Sequence, residues 1–309
     1  MPSLEELLLK TSRTFAVAIP LLPGQTCAAV RIAYLLFRIA DTFEDAAGFA
    51  RTDRLAALAD FDALLEAPGV DAARAFAAKW TRGRLSPNEG YVELVAHAAD
   101  VFEALAALDE PTRRVVVHHT RRTTNGMADV VRRSDEQGRL ELGTVKELRD
   151  YCYIVAGIVG ELLTDLFVEH TPTLASVRAE LERDQVLFGE GLQLVNILKD
   201  EEDDARDGRR YLPRSSHAEV FALARADLDR AEAYVRILAK GGAPRGVVVF
   251  TALPLLLARA SLERVEAAGP GAKVGRPLVF AVLSHVQTAP LDARADAMLA
   301  FSPPPLSVG

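Results

Sequence analysis

Apolar residues recur at helical spacing along almost the whole chain, and no stretch alternates steadily between apolar and polar positions. The pattern predicts an all-α fold whose first helix begins near Leu4. Breaks such as "APG" at 67–69 and "GGAP" at 241–244 separate the later helices. We predict these helices over residues 25–47, 53–66, 71–80, 88–108, 111–134, 144–170, 175–206, 215–240, 244–268 and 275–289. For "VVVF" at 247–250 a strand is the alternative, although its neighbours favour the start of a buried helix.

The length and composition predict one large folded domain. The chain has 309 residues, of which 50% are hydrophobic, so a single domain over 1–309 can bury a large core. We expect the last residues, from about 300, to form a flexible tail, because "SPPPLSVG" is rich in proline and polar residues. The net charge of −7 argues against a nucleic-acid partner, which normally meets a basic surface.

The cysteines and the N-terminus bear on location. Cys27 and Cys152 are the two cysteines of the chain, and both lie in apolar segments without a metal-binding spacing. They are typical of buried thiols in a reducing compartment, so we expect a cytoplasmic protein. The start "MPSLEELLLK" lacks the features of a signal peptide, and no long uninterrupted apolar run predicts a membrane span.

Acidic residues cluster near the end of the predicted helix 25–47, in "RIADTFEDA" (38–46). Arg38, Asp41 and Asp45 follow one polar stripe, with Glu44 beside them, while apolar residues cover the rest of the helix. Carboxylates four residues apart repel each other, and near a helix C-terminus they also oppose the macrodipole. The cluster is therefore either the solvated end of an amphipathic helix or part of a cation site.

A second acidic stretch, "LVNILKDEEDDARDGRRYLP" (194–213), repeats the arrangement. Asn196, Asp200 and either Asp203 or Asp204 share one stripe of a helix, and Gln193 lies on the same stripe. Oxygen ligands from two such helices suit Mg²⁺, and a bound diphosphate would supply further oxygens. Four cations beside the two motifs could balance the charge of that diphosphate: Arg13, Arg38, Lys199 and Arg209.

Five stretches together resemble the squalene and phytoene synthases, the head-to-head branch of the isoprenyl diphosphate synthases. They span most of the chain: "TSRTF" (11–15), "YLLFRIADTFED" (34–45), "RRTTNGMAD" (121–129), "YCYIVAGIVGELLT" (151–164) and "NILKDEEDDARDGRRYLP" (196–213). The resemblance implies a class I terpenoid synthase fold, a single helical bundle with a central cavity. One departure is mild: the family's second motif more often reads DxxED, and Asp203 stands here in place of that glutamate.

The resemblance also implies roles for individual residues. Tyr151 falls on the family's catalytic tyrosine, and Asp41, Asp45, Asp200 and Asp204 join it as catalytic residues. The implied Mg²⁺ site comprises Asp41, Glu44, Asp45, Asn196, Asp200 and Asp204. The implied contacts to the diphosphate substrate are Ser12, Arg13, Arg38, Gln193, Lys199, Arg209 and Tyr211.

Two C-terminal stretches resemble the branch of the family that uses NADPH. "VFTALPLLLARASL" (249–262) is similar to its Phe-x-Ala-x-Pro helix, and "GAKVGRP" (271–277) to its basic cofactor segment. Lys273 and Arg276 are then the implied contacts to the 2′-phosphate of NADPH. The alternative is a polar loop with two solvated cations, and no GxGxxG motif follows a strand.

The expected reaction is the condensation of two farnesyl diphosphates through presqualene diphosphate, followed by NADPH-dependent reduction to squalene. Within the family, the alternatives are a dehydrosqualene, phytoene or presqualene diphosphate synthase. Outside it, they are a class I terpene cyclase and a non-catalytic protein that binds isoprenoid diphosphates. We expect a monomer, with at most a transient contact to the membrane surface into which its product partitions.

Overall fold

The computed structural model describes residues 2–12, 14–46, 48–81, 83 and 85–301. These residues form two compact units. The first contains the chain up to Pro20 and Gly24–Leu140, and the second contains Leu21–Pro23 and the chain from Glu141 onward. The single domain and its central cavity stay predictions, and the tail beyond 301 lies outside the described residues.

The first unit is built of α-helices that pack around an aromatic core. Phe43 packs edge-on against Phe76, with ring centroids 5.6 Å apart, and also against Trp80 at 6.2 Å. Phe61 contacts Phe76 and meets Phe102 edge-on at 6.1 Å. The helices are α1 (Leu4–Thr11), α2 (Phe15–Ala18), α3 (Gly24–Glu44), α4 (Arg51–Glu66), α5 (Val70–Trp80), α6 (Glu89–Ala96), α7 (Ala98–Ala106) and α8 (Glu110–Arg133).

Side chains near the helix ends fix several boundaries in this unit. Ser3 and Glu6 form a capping box at the start of α1, each side chain bonding the other residue's backbone amide. Asp109 caps α8 by accepting from the Thr112 amide at 2.9 Å. At the other end of α3, the buried Arg54 donates to the carbonyls of Phe43 and Glu44. That cation satisfies carbonyls at the end of α3, so the helix keeps its geometry up to the acidic motif.

The described chain from Leu140 onward contains longer helices and two very short strands. Its largest fully buried side chain is Tyr234, whose hydroxyl lies 2.8 Å from the Thr164 hydroxyl. A 3-10 turn, Pro172–Val177, precedes the longest helix. In order, the elements are β1 (Leu140–Glu141), α9 (Val145–Cys152), a π-helical turn (Tyr153–Gly157), α10 (Ile158–His170), α11 (Arg178–Arg206), β2 (Arg209–Arg210), α12 (His217–Lys240), α13 (Arg245–Ala268), α14 (Arg276–Thr288) and α15 (Asp296–Leu299).

Two glycines allow α11 to lie directly against the segment that carries Tyr151. A Cβ added to Gly160 would lie 1.8 Å from the Gln185 carbonyl oxygen, and one added to Gly189 would lie 2.0 Å from that of Ala156. Any side chain at either position would force the helix backbones apart. The small residues of "AGIVGE" (156–161) therefore allow close helix packing, and Gly160 lies against the backbone of α11 at Gln185.

A polar cluster with two buried carboxylates, Glu190 and Asp227, lies where α9, α11 and α12 meet. Arg149 donates to both carboxylate oxygens of Glu190, at 2.7 and 3.2 Å. Asp227 on α12 lies nearby and is 4% exposed, and its Oδ2 has no hydrogen-bond partner among the described residues. Desolvation by burial raises the pKa of Asp227 to about 7, and Glu190 adds to the effect while Arg149 opposes it. Burial likewise raises the pKa of the neighbouring Cys152 thiol.

Most predicted helices are confirmed within a few residues, and two differences have clear causes. The predicted helix 88–108 is broken at His97, whose backbone leaves helical geometry and whose Nδ1 lies 2.8 Å from Asp100 Oδ2. The predicted helix 144–170 contains the π-helical turn that sequence periodicity does not reveal. The strand alternative at 247–250 is wrong, since these residues lie inside α13.

Two segments are long and apolar enough to cross a membrane by length and composition alone, Val145–His170 and Arg245–Ala268. In each, more than half of the most apolar 18-residue window is buried inside the protein, 56% in the first and 72% in the second. Buried core helices of folded proteins meet the same criteria. The two segments are therefore weak evidence for a membrane span.

We predict that Asp227→Asn removes a pH-dependent loss of stability. The folded protein holds this proton up to a pKa of about 7, whereas the unfolded chain releases it near its ordinary value. Wild-type stability should therefore fall as the pH rises through this window, by up to about 1.4 kcal/mol for each unit of the pKa difference. Denaturant unfolding at pH 5 and pH 8 measures the change, and the amide of the variant cannot ionise.

The control is Asp229→Asn, on the same helix, where the wild-type side chain is 76% exposed and paired with Arg259. It should leave the pH dependence unchanged. Equal pH dependence in the wild type and in Asp227→Asn would contradict the assignment.

Candidate active site

The first acidic motif lies at the C-terminal end of α3, in the first unit. One carboxylate oxygen from each of Asp41, Glu44 and Asp45 lies within 4.8 Å of the others. Glu44 is buried, Asp41 is half-buried and Asp45 is exposed. Phe43, between them in sequence, is fully buried in the aromatic core and thereby fixes the orientation of the helix end. Like charges this close repel each other and favour binding of a cation.

Arg38 is held beside this carboxylate cluster. Its Nη1 donates to Asp41 Oδ2, and its Nη2 lies 3.4 Å from the Tyr34 hydroxyl, which donates to the Thr11 carbonyl at 2.9 Å. The guanidinium carbon lies 5.1 Å from the ring centroid of Tyr91. Burial opposes the charge, but Asp41 and the two tyrosines outweigh it and raise the pKa of Arg38 above its ordinary value.

The Nε of Arg38 is buried and has no hydrogen-bond partner among the described residues. A buried donor without a partner carries a free-energy cost, so it marks a place where a ligand oxygen would be stabilising. Ser12, also assigned to the substrate, is half-buried, and its hydroxyl accepts from the Phe15 amide at 3.0 Å. The remaining predicted contact in this unit, Arg13, lies outside the described residues.

The second acidic motif lies near the C-terminal end of α11, in the second unit. Lys199 Nζ donates to Asn196 Oδ1 at 3.0 Å and lies 3.2 Å from Asp200 Oδ2. Asp200 and Asp204 are half-buried, and Asn196 is exposed. One lysine therefore bridges two of the predicted metal-site residues, so a predicted substrate contact lies next to predicted metal ligands.

A cleft of about 300 Å³ joins the end of α11 to β2 and the residues that follow it. Its walls include three of the predicted site residues: Asp204, Arg209 and Tyr211. Glu201 also lines the cleft, where its Oε2 lies 2.9 Å from His217 Nε2. Helical spacing predicts that Glu201 and Glu202 face water without a catalytic role. Glu202 is exposed, yet both residues line this cleft.

Tyr151 stacks on Tyr211 beside this cleft. Their ring centroids lie 4.5 Å apart with an interplanar angle of 23°, and each side chain is 6% exposed. Stacking of this kind contributes about 0.5–1.5 kcal/mol beyond area burial. Tyr151 is the penultimate residue of α9, which leads directly into the π-helical turn, a feature that is frequent at functional sites. The structure therefore brings the predicted catalytic tyrosine and the predicted substrate contact Tyr211 together.

The segment that resembles a cofactor-binding loop lies against the same helix. The Gly271 amide donates to the Lys199 carbonyl at 2.7 Å, and Gly269 and Gly271 have φ angles of +86° and +81°. Lys273 and Arg276 are exposed and make no hydrogen bond or ion pair with the described residues. The charges of Lys273 and Arg276, the two predicted NADPH contacts, are therefore available to an anion. Gln193, a predicted substrate contact, is half-buried on α11.

Sequence reasoning missed two residues that hold the first motif in place. Tyr91 packs over Arg38 from a helix more than fifty positions along the chain, and the sequence gives no signal of that contact. Arg54 satisfies the carbonyls at the end of α3, although an arginine next to an acidic motif is a weak signal for such a cap.

The donor set of each acidic motif fits Mg²⁺. Asp41, Glu44 and Asp45 offer hard carboxylate oxygens close together, and Asp200 and Asp204 offer the same type of ligand in the second unit. Arg38 and Lys199 already neutralise one carboxylate each and leave further donors for phosphate oxygens.

Solved structures similar to this protein show its fold. TcSQS with a bound ligand gives a TM-score of 0.75 over 96% of this chain and 88% of that one, at 23% identity. A dehydrosqualene synthase gives 0.59 over 92% and 94%, at 21% identity. The protein has the all-α fold of the class I terpenoid synthases.

Sequence comparison identifies the family to which the chain belongs. The family model described as squalene/phytoene synthase matches residues 8–220, and the chain belongs to this family. It is 33% identical to the squalene synthase of Schizosaccharomyces pombe over 212 residues, 68% of this chain and 43% of that one. It is 32% identical to the probable squalene synthase of Neurospora crassa over 205 residues, 66% and 40% respectively. The chain thus spans about two fifths of the length of these relatives.

We predict that Arg38→Gln weakens binding of inorganic diphosphate in the presence of Mg²⁺ by about tenfold or more, because charge-assisted contacts to the anion are lost. Isothermal titration measures the dissociation constant. The control is Arg132→Gln, in the same unit, where the exposed side chain pairs with Asp129 on its own helix. Equal affinities of the wild type and Arg38→Gln would remove Arg38 from the diphosphate site.

Proposed function

We propose that this protein is a squalene synthase that condenses two molecules of farnesyl diphosphate head to head through presqualene diphosphate. The curated relatives support the proposal by name, since squalene synthases from several fungi match most of this chain. The site observation that carries it is the carboxylate cluster of α3, where Arg38 holds Asp41 and keeps a buried Nε without a partner among the described residues. That combination suits a metal ion together with a diphosphate.

Residues of both acidic motifs take part in the proposed ionisation of the substrate, in which diphosphate departs. When bound, Mg²⁺ supplies positive charge that stabilises the departing diphosphate. Asp41 and Asp45, with Glu44, would hold metal in the first unit, and Asp200 and Asp204, with Asn196, would hold it in the second. Arg38, Lys199 and Arg209 contact the phosphate oxygens, whose negative charge grows as the carbon–oxygen bond breaks. Ser12, Arg13 and Gln193 assist in positioning the substrate.

Tyr151 is the proposed acid–base residue. After the 2,3 double bond of the second farnesyl diphosphate attacks the first farnesyl cation, a proton must leave for the cyclopropane ring to close. The stack with Tyr211 fixes the ring of Tyr151, and its low exposure keeps the phenol away from bulk water. Both effects favour proton removal by one oriented group over capture of the cation by water.

We propose that NADPH binds at the loop that follows α13. Lys273 and Arg276 fit its 2′-phosphate, since both are exposed cations without a partner among the described residues. The hydrogen bond from Gly271 to Lys199 ties this loop to the helix that carries the second acidic motif. NADPH supplies the hydride for the final reduction when bound. Monomeric state, cytoplasmic location and a transient membrane contact complete the proposal.

The direct test is a product assay with purified protein, Mg²⁺ and either farnesyl or geranylgeranyl diphosphate, with and without NADPH. We expect squalene from farnesyl diphosphate only when NADPH is present. Asp41→Asn and Asp200→Asn should each lower turnover by at least about a hundredfold, because a charged metal ligand is lost. Asp53→Asn is a matched control, because Asp53 is an exposed carboxylate in the first turn of the next helix.

Products other than squalene would indicate a different reaction of the same family. Dehydrosqualene or phytoene formed regardless of NADPH would overturn the reductive step, and presqualene diphosphate alone would place the end of the reaction earlier. Full activity in either aspartate variant would show that the metal assignment is wrong. Binding of farnesyl diphosphate without any turnover would identify a non-catalytic isoprenoid-binding protein.

A further inference from the structure

A second cleft lies in the first unit, between the end of α4 and the outer face of α8. It has a volume of about 550 Å³, and none of its walls belongs to either acidic motif. Four arginines and one carboxylate line it, together with apolar, imidazole and amide groups: Arg113, Arg114, Arg121, Arg122, Glu66, Leu65, Pro68, Val117, His118 and Asn125.

The basic side chains are arranged along one stripe of α8. Arg114, His118 and Arg121 lie four and then three residues apart, so they project from the same face of the helix toward the cleft. The helix pattern by itself would suit a solvated surface. The cleft adds a concave space in which several guanidinium groups can contact one ligand.

One of these arginines is held rigidly. Arg121 makes a bidentate pair with Asp62 at 2.9 and 3.0 Å, and its Nη2 lies 3.5 Å from Glu66. Asn125 donates to the same Asp62 oxygen at 3.0 Å. This network neutralises the charge of Asp62 and orients Arg121, so that this wall of the cleft has a defined geometry.

Arg114, unlike Arg121, is not held by neighbouring side chains. It is exposed and makes no hydrogen bond or ion pair with the residues that the structure describes. Arg113 pairs with Glu110 on its own helix, and Arg122 Nη1 lies 3.2 Å from His119 Nδ1. Among the described residues, the charge of Arg114 is therefore the one in this cleft that is available to an anion.

We propose that this cleft binds the phosphate group of an anionic ligand, a phosphate monoester or a diphosphate. Guanidinium groups match phosphate oxygens in pairs, and a dianion can use several of them at once. Arg114 contacts the phosphate, while Arg121 shapes the wall. The same chemistry occurs in a soluble phosphate compound and in a lipid headgroup, and the experiment separates the two sources.

The test measures binding of inorganic diphosphate and inorganic phosphate by isothermal titration in EDTA, using Arg38→Gln as the background. Without Mg²⁺ and Arg38, the proposed active site contributes little. We expect Arg114→Glu in this background to weaken binding by about tenfold, because an attractive charge becomes repulsive. The control is Arg132→Glu, an exposed arginine on the same helix that pairs with Asp129 outside the cleft.

A parallel arm uses phosphatidylcholine vesicles with and without about a tenth of phosphatidic acid, whose headgroup is a phosphate monoester. Vesicle binding that needs both phosphatidic acid and Arg114 assigns a lipid source, whereas binding of the free anions alone assigns a soluble one. The proposal is overturned if the protein binds neither, or if Arg114→Glu and Arg132→Glu behave alike. Circular dichroism verifies that each variant is folded.

Because this site does not depend on prenyl transfer, its outcome is independent of the product assay. A protein that makes no squalene could still bind phosphate here, and an active synthase could lack the site. Arg114 belongs to neither acidic motif, so Arg114→Glu should leave turnover at saturating substrate within about twofold of the wild type.

Discussion

Repulsion among the carboxylates at the end of α3 is the interaction on which the proposed function of this protein depends. Three acidic side chains lie within 4.8 Å of one another, and two unit charges at such a distance interact by roughly 3 kcal/mol near a protein surface. Fraying of the helix would relieve the repulsion, but buried Phe43 and the cap from Arg54 hold its end in place. Arg38 offsets part of the charge, and a divalent cation is the natural complement to the rest.

In the second acidic motif, near the end of α11, neighbouring side chains also reduce the repulsion among carboxylates. Lys199 bridges Asn196 and Asp200, and His217 pairs with Glu201. Lys199 lowers the repulsion at Asp200, and Asp204 lines a cleft that it shares with Arg209 and Tyr211. Close packing of α11 through Gly160 and Gly189 then sets this helix against the segment of Tyr151. The proposed chemistry thus relies on helix packing as much as on charge.

Periodicity and motif spacing predicted much of this from the sequence, because both depend on residues close together along the chain. They placed the acidic stripes and nearly all helix boundaries within a few residues. They did not reveal the break at His97, the π-helical turn or the packing of Tyr91 over Arg38. The last is a contact between distant parts of the chain. The resemblance, rather than spacing, supplied Tyr151, since one buried tyrosine in a helical pattern is indistinguishable from another.

The most direct test of the central claim is Mn²⁺ binding, with Mn²⁺ replacing Mg²⁺ and counted by electron paramagnetic resonance in the presence of inorganic diphosphate. If the carboxylates at the end of α3 hold the cation, Asp41→Asn should weaken Mn²⁺ binding by at least about tenfold, whereas the exposed Asp53→Asn should leave it unchanged. Full Mn²⁺ binding in Asp41→Asn, or equal losses in the two variants, would contradict a metal site at this cluster.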